Sequence, residues 1–394
     1  MTVTEAWETV RNHLFTPETE YIPLLQAQGR ILAQDVHADR DIPPYNRVSM
    51  DGIAIQYTDY QSGIRSFPIS GVIGAGEDGM THIPSGTCVE IMTGASLPAF
   101  VDTVIPYEQI HTDDGGIAFL NAEVKPGQNI HLKGKDRRAG DILMQAGRLI
   151  GPVETSIAAS VGCHQIRVIK PPRVAVFSSG NELVDVHETP EPFQIRRSNS
   201  YVCHAILRSY GIEAGLFHLP DEPEQIRTVL RDALESYDAI IISGGISAGK
   251  FDYIPDALTD LGVNKLIRGV RQRPGKPFWF GKRGPVTIFA LPGNPVSTMA
   301  CMVRYVKPWI EASLGQPVSA YKAVLAEDIT FEPNLTLFSQ VTIRPDDTGL
   351  LRAVPIRHQG SGDYSSLLNA DGFIELPAEK SRFEAGTLFS FWRI

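Results

Sequence analysis

Tyr237-Asp-Ala-Ile-Ile-Ile-Ser-Gly-Gly-Ile-Ser-Ala-Gly-Lys-Phe-Asp-Tyr253 is the stretch from which the fold can be read. Its β-branched run, Ala239 to Ile242, is apolar at every position, as in a parallel strand buried on both faces. The run then breaks into a loop holding Gly244, Gly245 and Gly249, with the hydroxyls Ser243 and Ser247 between them. Glycines let backbone N–H groups approach a ligand closely, and hydroxyls add hydrogen bonds, which suits a phosphate group. Gly-rich turns also follow strands for steric reasons alone, so the loop takes its meaning from its surroundings.

Outward from this strand, strand and helix patterns alternate. After Pro171-Pro172 the sequence predicts a strand over 173–178, a helix over 198–210, a strand over 212–219 and a helix over 222–237. The second helix turns Ile226, Val229, Leu230, Ala233 and Leu234 to one face. Beyond Ile242 follow a helix near 254–261, strands near 266–270 and over 286–291, and one helix over 296–314. Alternation of this kind predicts a doubly wound α/β sheet with right-handed crossovers.

The flanking regions have a different texture. Residues 1–170 carry helix-like ends, 4–14 and 152–161, around a middle with β-like runs at 51–55, 88–94, 103–106 and 127–143. That pattern predicts an N-terminal bipartite region with an inserted β-rich subdomain at about 45–145. From residue 316 onward, polar and apolar residues alternate over 338–343, 350–356, 372–376 and 388–392, as in a small antiparallel sheet or barrel. The expected protein is therefore a multidomain α/β chain: 1–170, an α/β domain over 171–315, and a C-terminal β domain over 316–394.

At 394 residues the chain exceeds one typical core, and its apolar and charged contents of 43% and 21% are those of an ordinary globular protein. A net charge of −9 argues against general nucleic-acid binding. No apolar run approaches the roughly 18 residues of a membrane helix, and the first fifteen residues lack a signal-peptide pattern, so no membrane contact and a cytoplasmic location are expected. The four cysteines, Cys88, Cys163, Cys203 and Cys301, form no C-x-x-C pair, which argues for free thiols over a thiolate metal site. Against the acidic total, Lys265 to Arg283 holds seven basic residues and no acidic one, with the rigid turn Arg273-Pro-Gly-Lys276-Pro at its centre. A solvated basic face is the ordinary explanation of such a run; here a small anionic ligand fits better.

Ligands of open α/β sheets bind beyond the carboxyl ends of the strands. The loops 178–183, 219–222, 243–252, 271–277 and 291–295 fall at or near such ends, so five loops distant in sequence are expected to converge. The last enters a helix directly, where free N–H groups and the macrodipole favour an anion. Glu182, Asp221 and Asp252 sit on neighbouring loops, and carboxylates beside phosphates commonly hold Mg2+. Asp221 also fits the N-cap of the following helix. The lone histidines His82, His204 and His218 form no ligand cluster. In the N-terminal region, Ser49 and Asp51 suit an Asx-type turn before a strand, and Met92-Thr93-Gly94-Ala95 follows another.

Together these motifs resemble the MoeA/gephyrin E-domain family, the molybdopterin molybdenumtransferases. The matching pieces are Ser49-Met-Asp-Gly52, Ile91-Met-Thr-Gly-Ala95, Gly127-Gln-Asn-Ile130, Gly134-Lys-Asp136 and Ser179-Gly-Asn-Glu-Leu183. Ser243-Gly-Gly-Ile-Ser247, Pro274-Gly-Lys-Pro277 and Leu291-Pro-Gly-Asn-Pro-Val-Ser297 complete the set, in family order. The resemblance implies an elongated four-part subunit in a homodimer, with the N-terminal region of one copy completing the cleft of the other. It implies insertion of molybdate, as co-substrate, into the dithiolene of adenylylated molybdopterin, with Mg2+ and release of AMP. Contact with the adenylyltransferase that supplies this substrate is a further implied partnership.

Carried over position by position, Asp51, Asp136, Glu182, Asp221 and Asp252 match catalytic positions, the last three as metal ligands. Thr93, Ser179, Gly180, Ser243, Gly244, Gly245, Ser247, Arg273, Lys276, Pro292, Gly293, Asn294, Pro295 and Ser297 match substrate-binding positions. The chain departs from the family pattern at Ile53, where Tyr is common, at His131, where Arg is common, and at Lys250, often an acid. Two other functions share parts of this pattern: a CinA-like nucleotide pyrophosphohydrolase, and a pterin-binding carrier or scaffold without insertase activity.

Overall fold

Alternate residues of the strand Ala239–Ser243 enter opposite cores, which is how the chain covers both faces of its central sheet. The computed structural model describes residues 1–77, 80–246, 253–318, 320–357 and 359–394. They form two compact units: Met1–Ile22, Gly29–Ala33 and Arg167–Ile394 make one, Pro23–Gln28 and Gln34–Ile166 the other.

In the larger unit the central sheet has six strands: Val174–Ser179 (β1), Gly215–Leu219 (β2), Ala239–Ser243 (β3), Asn264–Arg268 (β4), Trp279–Arg283 (β5) and Val286–Leu291 (β6). Their order is β2-β1-β3-β6-β5-β4. Every residue of β1, β3 and β6 is buried, as expected of predominantly apolar strands covered on both faces; Ser178, Ser179, Ser243 and Thr287 are the buried polar exceptions. Val174, Val176, Ala239 and Ile241 pack in one core with Cys203 and Leu207 of the helix Asn199–Arg208. Ala175, Phe177, Ile240 and Ile242 pack in the other with Ile226 and Leu230 of Pro223–Ser236 and with Ile254 and Leu258 of Ile254–Asp260. The doubly wound architecture is thus present.

Two features of this unit differ from the sequence expectation. No strand was expected at Trp279–Arg283, yet β5 runs antiparallel between β6 and β4 and makes the sheet mixed. Its apolar half is only Trp279-Phe280-Gly281, and the basic pair Lys282-Arg283 hides it from a periodicity reading. The expected single helix over 296–314 is three segments: an α-helix Pro295–Cys301, a π turn Met302–Val306 and an α-helix Lys307–Ser313. Pro308 has no N–H to give to the Arg304 carbonyl, and the widened turn accommodates the missing bond.

The helix Val3–Arg11 begins with a capping box in which Thr2 Oγ1 accepts from the Glu5 N–H and Glu5 Oε2 accepts from the Thr2 N–H. Val3, Ala6 and Val10 bury its inner face in the first of the two cores.

The C-terminal region, left open as sheet or barrel, is a closed five-stranded barrel. Its strands are Tyr321–Leu325 (β7), Thr336–Pro345 (β8), Leu351–Pro355 (β9), Gly372–Leu376 (β10) and Leu388–Arg393 (β11). The pairings β8–β9, β9–β7, β7–β11, β11–β10 and β10–β8 return to the start. The β7–β9 pair is parallel, so the barrel is not wholly antiparallel. The short strand Gln272–Arg273 adds to β8 in parallel and ties the α/β domain to the barrel wall. A second tie is the ion pair of Arg304, in the π turn, with Glu375 of β10 at 2.9 Å. Trp392 Nε1 donates to the same Glu375 Oε2 at 2.6 Å.

In the smaller unit a six-stranded sheet runs in the order Thr103–Pro106, Gly52–Ile55, Cys88–Ile91, Ser66–Ile73, Ile117–Leu120, Ile110–Thr112. A Cβ on Gly52 would fall 2.0 Å from the Ile105 carbonyl oxygen, so this crowded pairing demands glycine. The expected strands near 51–55, 88–94 and 103–106 are present, while the last three strands of the sheet were not anticipated. The β-like reading of 127–143 is corrected: only Ile130–His131 and Ile142–Met144 are extended, because Gly127, Gly134 and Gly140 turn the chain at positive φ.

Arg304 and Glu375 are 7% and 18% exposed in their side chains, so removing one partner strands the other in poor solvent. Arg304→Ala is expected to lower unfolding free energy by about 3 kcal/mol, read from urea denaturation; a loss within error would deny the pair a structural role.

Candidate functional site

Because the chain reverses on entering β5 and again on leaving it, β4 runs in the direction of β1, β2, β3 and β6, and the five expected loops leave one edge of the sheet. There they line a cavity of ≈ 650 Å³. Ser179, Gly180, Glu182, Asp221, Ser243, Gly244, Gly245, Pro292, Gly293, Asn294 and Pro295 all line it.

The loops after β1 and β3 pass within contact of each other. Gly244, at φ +95°, has its missing Cβ only 2.7 Å from the Ser179 carbonyl oxygen. Gly245, at φ +67°, would meet Ile254 Cδ1 at 2.5 Å and Ser179 Oγ at 3.0 Å. Sterics therefore require both glycines, whatever the ligand. What sterics leave unexplained is the pair of hydroxyls on this wall. Ser178 and Ser179, 1% and 5% exposed, have no hydrogen-bond partner for Oγ among the described residues. Buried hydroxyls without partners are costly, and a bound acceptor would satisfy them.

Asn199 clamps two walls, donating from Nδ2 to Ser243 Oγ and to the Gly293 carbonyl, both at 2.8 Å. With Arg196, Arg197 and Ser198 it also lines the cavity, and this segment was missed from the sequence. The signal available was a pair of arginines directly before a helix. Arg197 pairs with Asp185, whose carboxyl lies below its usual range chiefly because it accepts the Val186 N–H.

Asp221 is not the N-cap considered for it. Glu222 occupies that position, without a capping bond. Asp221 instead crosses to the first loop: Asn181 N–H donates to Asp221 Oδ2 at 3.2 Å, and Asp221 N–H donates to Asn181 Oδ1 at 3.1 Å. Glu182 folds over Gly180, whose absent Cβ would lie 2.3 Å from Glu182 Oε2. Two carboxylates thus line the cavity. Ser247 and Asp252, expected here as well, lie outside the described residues, as does Lys250. Among the described residues no three Asp, Glu, His or Cys side chains gather into a metal-binding group.

Arg273, Lys276 and Ser297 line an adjoining cavity of ≈ 340 Å³. Its far side is Leu335, Leu337, Phe338, Gly360 and Ser361 from the C-terminal region, and it shares Pro277, Pro292 and Asn294 with the larger cavity. The expected open helix N-terminus is partly closed, because the Val296 N–H already donates to the Ser361 carbonyl at 3.2 Å. The basic segment is likewise divided. Arg273 and Lys276 are at the site, whereas Lys282 pairs with Asn264 and Arg283 with Val286 at the opposite edge of the sheet.

In the smaller unit, Asp51 Oδ1 accepts the Thr93 N–H at 2.6 Å, joining two motifs 42 residues apart. This bond, with one from the Thr93 side chain, holds the Asp51 carboxyl below its usual range. Asp136 Oδ1 lies 2.8 Å from His131 Nε2. All four cysteines are free, and burial pushes Cys88 and Cys203 up to about 12.

Residues 1–162 match the MoeA N-terminal region (domain I and II), 175–312 a probable molybdopterin binding domain, and 322–394 the MoeA C-terminal region (domain IV). A molybdopterin molybdenumtransferase of Synechocystis sp. is 38% identical over 369 residues, covering 92% of each chain. The chain belongs to the MoeA family.

Another MoeA relative, the molybdopterin molybdenumtransferase of Staphylococcus epidermidis, is 31% identical over 376 residues, 93% of this chain and 89% of its own. The crystal structure of the moeA protein from Pyrococcus horikoshii OT3 superposes with a TM-score of 0.83 at 26% identity, over 100% of both chains. Of the departures from the MoeA pattern, Ile53 is fully buried in an apolar cluster with Ile55, Phe67 and Ile105, so its side chain serves packing. His131 stands as the hydrogen-bond partner of Asp136.

Gly244→Ala is expected to destabilise the chain by about 1–3 kcal/mol, since the methyl group meets a backbone oxygen at an unfavourable φ; urea denaturation measures this. The lowered Asp51 value means that its contact with Thr93 is complete above the usual carboxylate range and is lost as pH falls through the folded value. A carbon-13 titration should place the Asp51 midpoint below that of an unperturbed aspartate; an ordinary midpoint would deny the contact.

Proposed function

We propose that this protein inserts molybdate into the dithiolene of adenylylated molybdopterin and releases AMP, a step of molybdenum cofactor biosynthesis. The observation that carries the reading is the ≈ 650 Å³ cavity, in which the buried hydroxyls of Ser178 and Ser179, without partners among the described residues, stand beside the carboxylates of Glu182 and Asp221. Near-full-length relationship to molybdopterin molybdenumtransferases supports the same assignment.

In this mechanism the Ser243–Gly245 loop and the two serine hydroxyls hold the phosphate-bearing pterin, and Pro292–Pro295 shapes the facing wall. Arg273 and Lys276 add positive charge from the adjoining lobe. Ser297 lines that lobe with them. Mg2+ usually binds through one or two carboxylates together with substrate phosphates, and the donor set of Glu182 and Asp221 fits that requirement. Asp252 is the third ligand on the family resemblance. When bound, the ion polarises the phosphoanhydride and offsets the charge that develops on it. Molybdate held beside the dithiolene reacts as in an intramolecular step, without a nucleophilic side chain.

The same proposal includes a homodimer in which Asp51, Thr93 and Asp136 of one copy complete the cleft of the other. It also includes delivery of substrate by an adenylyltransferase, a cytoplasmic location, and the division 1–170, 171–315 and 316–394. No helix among the described residues is long and apolar enough to cross a membrane.

Incubation of the purified protein with adenylylated molybdopterin and Mg2+, with and without molybdate, tests the function through AMP release. Release that depends on molybdate is expected. Release without molybdate would indicate a pyrophosphohydrolase, and tight binding without release a carrier. Glu182→Ala is expected to abolish molybdate-dependent release while the thermal midpoint stays near that of the unaltered chain; normal turnover in this variant would remove Glu182 from the mechanism.

A further inference from the structure

Beneath the Arg273–Pro277 loop lies a chain of buried polar contacts that the proposed reaction does not use. Gln272 is 1% exposed, and Tyr305 and Cys301 are fully buried. The Tyr305 hydroxyl donates to Gln272 Oε1 at 2.5 Å, and Gln272 Nε2 donates to the Pro274 carbonyl at 3.1 Å. A carbonyl can only accept, so Pro274 sets which end of the amide faces the loop and leaves Oε1 for the tyrosine. Cys301 Sγ lies 3.7 Å from Gln272 Nε2 and 3.9 Å from the Gly275 carbonyl oxygen. Burial pushes both the thiol and the phenol upward, so each keeps its proton.

The loop rests directly on this network. Gly275 has φ +91°, and a Cβ there would fall 2.6 Å from Gln272 Nε2 and 2.8 Å from Cys301 Sγ. Backbone bonds close the base of the loop, from Gly269 N–H to the Phe278 carbonyl at 2.8 Å and from Val270 N–H to the Lys276 carbonyl at 2.9 Å. At the tip, the Gln272 amide reaches the Pro274 carbonyl. Tyr305 comes to this position from the π turn, with its ring stacked on Phe278 at 4.3 Å between centroids. Single π turns inside helices often mark functional sites, and this one carries the side chain that supports the loop.

We infer that Gln272 and Tyr305 are positioning residues for the loop cations Lys276 and Arg273, holding them toward the anionic substrate in the adjoining lobe. The inference rests on the proposed role of these cations. It is tested in the full-length protein with Tyr305→Phe, which keeps the ring and its stack, with Gln272→Leu, and with the double variant. AMP release gives kcat and separate KM values for adenylylated molybdopterin and molybdate, and thermal melting gives Tm.

Each single variant is expected to raise one KM about five- to tenfold, as for loss of a buried hydrogen bond, with kcat unchanged. The double variant should be no worse than Gln272→Leu alone, because the two groups act through one chain of bonds. Lys276→Ala should raise the same KM. If Tyr305→Phe and Gln272→Leu lower Tm but leave both KM values unchanged while Lys276→Ala raises one, the network is structural only and the inference is overturned. If Lys276→Ala leaves both unchanged, the role proposed for the loop cations fails, and the inference with it. Should Gln272→Leu not fold, Tyr305→Phe alone decides between these outcomes.

Discussion

The candidate site depends on one close approach: the backbone after β3 passes under the Ser179 carbonyl with no room for a methyl group at Gly244. A buried parallel sheet brings its strand ends to within a few ångströms of one another, and side chains there would push the loops apart. Glycine removes that obstacle, and the loops close into a wall whose backbone and short hydroxyls face the cavity. Asn199 then ties the wall from Ser243 to the opposite loop at Gly293. Steric necessity and ligand chemistry meet in the same residues, so a Gly-rich turn alone does not separate them. The hydroxyls of Ser178 and Ser179, buried on this wall with no partner among the described residues, are a feature that sterics do not require.

A proline organises the other side of the site. Pro308 interrupts helical hydrogen bonding, and the widened turn before it sends two adjacent side chains to different tasks. Tyr305 supports the loop that carries Lys276, while Arg304 reaches Glu375 in the barrel. The strand Gln272–Arg273 joins the same barrel through β8. The smaller cavity is therefore built from two domains that are braced against each other by both backbone and buried charge.

Much of this was legible in the sequence, for identifiable reasons. β1, β3 and β6 are mostly apolar, with polar residues only at Ser178, Ser179, Ser243 and Thr287, and such runs have few alternatives to a doubly covered sheet. The loops at their ends could be placed on one edge because parallel strands share a direction. β5 escaped notice because half of it is basic, and the π turn because Pro308 acts on hydrogen bonding and leaves periodicity intact. The arginines at 196 and 197 were passed over because no strand end announces them. Asp221 read as an N-cap from its position before a helix; its actual partner, Asn181, is 40 residues away, and sequence spacing carries no trace of that bond. Asp51 and Thr93 were singled out separately by motif resemblance, and the hydrogen bond that joins them was not legible in the sequence.

The reversed strand β5 has an electrostatic consequence. It carries the chain from the cavity edge to the far side of the sheet, over roughly 17 Å for five residues. That is about twice the screening length at physiological ionic strength. Lys282 and Arg283, part of the same basic run as Arg273 and Lys276, are thereby largely screened from the site. Arg273 and Lys276 thus place their charge beside the smaller cavity, while that of Lys282 and Arg283 lies at the other end of the sheet.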